Sequence, residues 1–167
     1  MDATAWFDVT LAVLGGAIRV GTPTDAALTG RRLCSAQVIV VAAPAYLDRH
    51  GTPETPAQLR GHRCIIDTNF RDPHQWTFQG GLRVPVAGPL AFSNASACLA
   101  AAEAGLGIAC LPDFVAEHSL QAGHVRAILT EAQDAPLGVF ALYPSGRFLP
   151  AKVRVLIDFM ARVLKEP

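Results

Sequence analysis

The residues best suited to chemistry in this chain lie between Ser93 and Asp113. Ser-Asn-Ala-Ser opens an Ala-rich run there, and Gly105-Leu-Gly-Ile-Ala-Cys-Leu-Pro-Asp closes it. Ser93 or Asn94 can accept from the unpaired backbone N–H groups of a first helical turn. Residues 95–104 then favour helix, because alanine loses no side-chain entropy there. Gly105 suits the left-handed residue that ends a helix. Residues 108–111 read as a short buried strand, which Pro112 stops. A helix N-terminus held in such a unit points several N–H donors one way and is an anion site in waiting. The chemistry it offers is recognition of a small, anionic molecule rather than bond-making.

Composition narrows the function further. The chain has 167 residues, enough for one large domain or two small lobes, and 51% of them are hydrophobic. Lys+Arg and Asp+Glu stand at 14 each, which argues against a dedicated nucleic-acid surface, since phosphate binding rests on a basic patch. Cys34, Cys64, Cys98 and Cys110 form no Cys-x-x-Cys pair, and no His lies at zinc-ligand spacing from them. They read as buried thiols of a reducing compartment, with no metal and no cofactor expected. Ser93 sits in no Gly-x-Ser-x-Gly elbow. The five His are scattered, no carboxylate pair stands out, and no catalytic residue is assigned. The first eight residues carry acids and no base, unlike a secretory signal. The apolar run at 38–44 is far short of the ~20 residues of a membrane helix, so a cytoplasmic chain with no membrane contact is expected.

Along the chain, residues 17–21 look like the end of a strand entering a turn at 22–25. Residues 37–43 form a continuous, largely β-branched run typical of a buried strand. A short helix follows, with Pro44 at its start and Gly51 at its end. Thr55 and Pro56 repeat that grammar. Residues 63–67 read as a strand, and 76–78 with 82–86 as a hairpin around Gln-Gly-Gly. Pro112-Asp113 opens a helix that ends near Gly123, and 125–129 and 137–143 are strands. Residues 150–165 are the clearest helix, with Val153, Leu156, Ile157, Met160 and Leu164 on one face. Strands alternating with helices imply an α/β architecture with a mostly parallel sheet.

Several phrases in one order now carry a resemblance. They are Ala17-Ile-Arg-Val-Gly21 with Asp25 and Leu28, Arg31-Arg32-Leu33, Ala43-Pro-Ala-Tyr-Leu47 with His50-Gly51, and Thr55-Pro-Ala-Gln-Leu59 with His62-Arg-Cys-Ile65. Gly105-Leu-Gly-Ile108 with Leu111-Pro112, and Leu142-Tyr-Pro144 with Pro150-Ala-Lys-Val153, complete the set. Together they resemble the effector-binding domain of LysR-type transcriptional regulators over roughly residues 17–164. The resemblance implies a periplasmic-binding-protein-like (type II) α/β fold of two lobes, with a small-molecule effector in the cleft between them. It implies a partial first lobe at 1–38, a second lobe at 39–136 and a return segment of the first lobe at 137–167. DNA would be contacted only through a helix-turn-helix domain that this chain does not contain, and a homo-oligomer is expected. Where the family runs Phe-Asp-Val directly into Ala-Ile-Arg, Thr10 to Gly16 intervene here. The first strand and helix of lobe one are missing from the pattern, so the chain reads as N-terminally truncated.

On that fold, Ser93, Asn94 and Ala95 face the cleft as ligand contacts, or serve as a simple helix cap. Thr68 and Asn69, following Asp67 at a strand C-terminus, are ligand contacts or an Asx-type turn. Arg19, Gly21 and Thr22 form the matching edge of lobe one, with Arg19 a counter-charge for an anion or a surface ion pair. Gly107 is either a backbone contact or, with Gly105, a residue of the turn. The function expected is effector sensing that modulates transcription. The alternatives are a solute-binding protein of a transport system and a non-functional remnant of a regulator.

Overall fold

In the computed structural model, residues 7–11, 16–20, 28–144 and 151–164 are described. The chain divides into two units, one built on Gln37–Ala135 and the other on Thr4–Ala36 with Pro136–Pro167.

The second of these units begins with strands β1 (Phe7–Leu11), β2 (Gly16–Val20) and β3 (Leu28–Ala36). β1 and β2 pair antiparallel, with Leu11 opposite Gly16. Of the residues that interrupt the Phe-Asp-Val to Ala-Ile-Arg junction, Thr10 and Leu11 lie in β1 and Gly16 opens β2. The unit closes with β11 (Leu137–Pro144) and helix α4 (Ala151–Val163). Its sheet runs β1-β2-β11-β3, antiparallel throughout, with a register shift between Val139 and Phe140. Val153, Ile157 and Ala161 form the buried line of α4. Of the five apolar residues expected on that face, Leu164 is exposed. It follows Val163, the last residue of α4. Arg31 of β3 pairs with Asp158 of α4, both half-exposed.

The other unit carries β4 (Val38–Ala42), α1 (Pro44–His50), a 3-10 turn at Pro56–Gly61, and β5 (Cys64–Asp67). Next come β6 (Gln75–Phe78), β7 (Leu82–Pro85), β8 (Ala91–Phe92) and α2 (Ala95–Glu103). Then follow β9 (Ile108–Pro112), α3 (Asp113–Gln121) and β10 (Arg126–Ile128). Its main sheet runs β10-β4-β9-β5-β8, and β6 with β7 forms a separate hairpin. β5 is parallel to both β8 and β9, while β4 is antiparallel to β9 and β10.

One sheet is therefore antiparallel and the other mixed, rather than mostly parallel. Helical crossovers hold β8, β9 and β10 in one direction. β4 runs against them, because it enters directly from β3 of the other unit through Gln37 with no crossover. The Gln37 amide donates to the Asp134 carbonyl at 2.8 Å, tying together the two places where the chain passes between units.

Burial explains the unbroken apolar run of β4. Ile39 and Val41 pack with Ile65, Ala109, Leu111 and the inner faces of α2 and α3. Val40 and Ala42 pack on the other side with Tyr46, Leu59, Ile66, Trp76 and Phe78. A strand covered on both faces needs apolar residues at every position, not alternate ones. Among the buried cysteines, desolvation pushes the Cys64 and Cys98 thiols up to about 12 and Cys110 higher still. Such thiols stay protonated and behave as small hydrophobes.

Close approach fixes one loop. The Cys64 N–H donates to Ala87 at 2.9 Å, and a Cβ at Gly88 would lie 1.8 Å from the Cys64 carbonyl oxygen. Gly88→Ala is expected to lower stability by about 3 kcal/mol in urea unfolding. Ala substitution at Gly61, where nothing lies within 4 Å of the added Cβ, is the control and is expected to be tolerated.

Candidate functional site

Parallel strands finish at the same edge of a sheet. Ile66 stands opposite Ala91 and Asp67 opposite Phe92, so β5 and β8 end side by side. Beyond them the Thr68 N–H donates to the Phe92 carbonyl at 2.8 Å, and the Thr68 hydroxyl donates to the same oxygen at 3.2 Å. Ser93 follows at once, and Asn94 caps α2 in extended conformation. Its Oδ1 accepts from the Ser96 N–H at 2.8 Å and from the Ala97 N–H at 3.3 Å. Five of the expected contacts, Thr68, Asn69, Ser93, Asn94 and Ala95, therefore share the edge at the positive end of α2. Thr68, Ser93 and Asn94 are exposed there. Capping uses the N–H groups of Ser96 and Ala97; that of Ala95 has no partner among the described residues. The edge offers a helix-terminal field, an N–H and several hydroxyls, which is the equipment for holding an anion.

The Asx-type turn is also present. The Asn69 N–H and its side-chain amide both donate to Asp67 Oδ1, at 2.9 and 3.0 Å. Asp67 itself is 1% exposed, and its Oδ2 is buried without a partner among the described residues. Burial raises its pKa above the ordinary carboxylate value, partly offset by the two Asn69 hydrogen bonds. Sequence reasoning names Asp67 as a neighbour of the turn, but not as a buried group. The signal was available: a single acid closing a strand whose other residues are all apolar is carried inward with them.

Gly107 does not join this group. It precedes β9, whose first residues pair with Cys64 and Ile65 at the start of β5, so it lies at the opposite edge. An added Cβ would stand 2.5 Å from the Arg63 carbonyl oxygen, to which the Ile108 N–H donates at 2.9 Å. The glycine is required by strand packing. Arg19 is placed by its backbone in β2, opposite Asp8 and Phe140. Gly21 and Thr22 lie outside the described residues.

Other polar groups serve structure. The Tyr46 hydroxyl accepts from the Arg63 N–H at 3.0 Å and meets His62 Nδ1 at 3.3 Å. Burial and neighbouring His50 lower the His62 pKa. The Ser119 hydroxyl donates to Glu103, joining α3 to α2. Among the described residues no group of three or more His, Cys, Asp or Glu is placed to hold a metal, and no helix is long and apolar enough to cross a membrane.

Two measurements follow from this geometry. Asn94→Ala is expected to cost about 1 kcal/mol in chemical unfolding, with Asn94→Asp retaining the cap. Asp67 holds its proton to higher pH folded than unfolded. Between the unfolded and folded pKa values the native state therefore binds more protons, and stability falls as pH rises through that window. Asp67→Asn is expected to gain stability relative to the parent as pH rises from 4 to 7. A constant difference between the two across that range contradicts the assignment.

Comparison with known proteins gives the fold its lineage. The family described as the LysR substrate binding domain matches residues 9–165. The HTH-type transcriptional regulator PtxR of Pseudomonas aeruginosa is 31% identical over 155 residues, covering 90% of this chain and 50% of that protein. An HTH-type transcriptional regulator of Xanthomonas campestris is 33% identical over 162 residues, covering 90% and 47%. Among solved structures, the regulatory domain of CrgA from Neisseria meningitidis superposes with a TM-score of 0.79 at 28% identity, covering 90% of this chain and 75% of that one. The regulatory domain of AphB from Vibrio vulnificus gives 0.71 at 26% identity, covering 93% and 78%. The chain spans about half the length of the curated relatives it matches. The named relatives are transcriptional regulators, and the chain has the type II periplasmic-binding-like fold of LysR regulatory domains. This chain belongs to the LysR substrate-binding domain family, the effector-binding part of LysR-type transcriptional regulators.

Proposed function

We propose that this chain senses a small anionic molecule at the edge formed by β5, β8 and the N-terminus of α2, and that occupancy modulates transcription. The observation that carries the ligand class is the convergence of Thr68, Ser93 and Asn94 at the positive end of α2. An anion there completes hydrogen bonds that the cap leaves open and is favoured by the aligned peptide dipoles. No side chain of this edge supplies a nucleophile with a base beside it, so the reading is one of binding without catalysis.

The output is DNA binding through a helix-turn-helix element of the kind the relatives' names print, in the cytoplasm and in an oligomer. The balanced charge of this chain, 14 basic against 14 acidic residues, fits a part that reads a metabolite while another part supplies the phosphate contacts. A ligand shifts such a system only by its differential affinity for two states.

A calorimetric screen of the whole chain against small carboxylates, phosphates, sulfonates, amines and neutral sugars tests the ligand class. Binders are expected among the anions. Ser96→Asp places a fixed carboxylate in the first turn of α2, where it favours the helix, and is expected to weaken those binders about tenfold, or ~1.4 kcal/mol. Binders found only among amines or sugars, or anions held equally well by Ser96→Asp, contradict the proposal.

A further inference from the structure

The buried carboxyl of Asp67 is set toward α2 near Cys98. Ile65 packs on the α2 side of the sheet with Cys98, and Asp67, two residues on, points to the same side. Cys98, the fourth residue of α2, brings its Sγ to 3.9 Å from the Ile66 carbonyl, and its thiol is pushed up in part by the charge of Asp67. Oδ1 is held by Asn69. Oδ2 is sealed from solvent with no partner among the described residues. An ionised Asp67 therefore sits in the field of the α2 N-terminus, the same field that a bound anion would use.

Resting on the ligand reading above, we propose that this edge takes up its anion together with one proton, carried on Asp67. Two negative charges sharing one helix end repel, and the buried one, Asp67, is poorly screened by solvent. Protonating Asp67 removes one of them. The proton comes from solvent onto the carboxyl, and no other bond forms or breaks. Burial already favours the neutral acid. The titratable groups set against Asp67 are the thiols of Cys98 on α2 and Cys110 on β9, both neutral. Ser93 and Asn94 beyond β8 carry no charge, and on its own loop the groups acting on Asp67 are the uncharged Asn69 N–H and amide. Because the anion raises the affinity of Asp67 for its proton, the proton raises the affinity for the anion by the same factor. Affinity is then highest at low pH and falls as pH rises through the titration of Asp67.

Sulfate is the probe, since its charge is constant between pH 5 and 8. Its affinity for the whole chain is measured calorimetrically at fixed ionic strength, with sodium chloride as filler. The expected result is a fall of about tenfold as pH rises, in the direction set by loss of the Asp67 proton. Asp67→Asn, which keeps the Oδ1 acceptor for Asn69, is expected to bind with no such slope. As a check that needs no variant, the carbon-13 resonance of the Asp67 carboxyl is expected to titrate at higher pH when sulfate is saturating. A flat profile in the parent, an equal slope in Asp67→Asn, or a carboxyl titration unmoved by sulfate overturns the proton coupling alone. Failure of sulfate to bind at any pH, or binding untouched by Ser96→Asp, overturns the anion site and the coupling with it.

Discussion

Two backbone hydrogen bonds hold the proposed binding edge together: the Ile66 N–H to the Leu90 carbonyl at 2.9 Å, and the Thr68 N–H to the Phe92 carbonyl at 2.8 Å. They lock β8 in parallel register against β5. Everything at the edge follows from that register. It sets Thr68 beside Ser93, starts α2 where both strands end, and turns the Asp67 side chain inward. A slip of one residue would carry Asp67 to the other face of the sheet and Ile66 to the side of α2. The register is defended by burial, because Cys64, Ile65 and Ile66 are each almost wholly buried and sort to opposite faces.

The same edge joins fold to function through unequal treatment of its polar groups. Asn94 satisfies two of the N–H groups of α2, which stabilises the helix without closing its end. Asn69 satisfies one oxygen of Asp67 and leaves the other alone. A fully paired edge would be more stable and would have nothing left to offer a ligand. Among the described residues the buried side-chain polar atoms without a partner are Asp67 Oδ2, at this edge, and Trp76 Nε1 of β6. The rest of that unit is packed on both faces of its sheet, which gives the open edge a rigid support.

Much of this was legible in the residues. Ser-Asn before an alanine run announces a capped helix, and Gly105 is left-handed at its end. Pro44 and Gly51 bound α1, and the continuous apolar run at β4 announces a strand buried twice. β3 was not legible: Gly30, Arg31 and Arg32 interrupt any apolar pattern. The strand is held by its long pairing with β11, which no local signal reveals. Strand direction was misread for a related reason, since a short link from another unit brings β4 in backwards. Within the site, cap and turn residues could be named because their chemistry is local. The burial of Asp67 depends on packing by α2 and appears only when the strand faces are assigned. Gly107 read either as a backbone contact or as a turn residue, and the group that approaches it in the structure is the Arg63 carbonyl.

The most direct test of the central claim is amide chemical-shift mapping of the whole chain during titration with a small anion found to bind it. The account predicts that the largest changes fall on Thr68, Asn69 and residues 93–97, with the N–H of Ala95 among them. Saturable binding whose shifts centre elsewhere, leaving the amides of residues 93–97 unmoved, would contradict the assignment of this edge as the place where the effector is read.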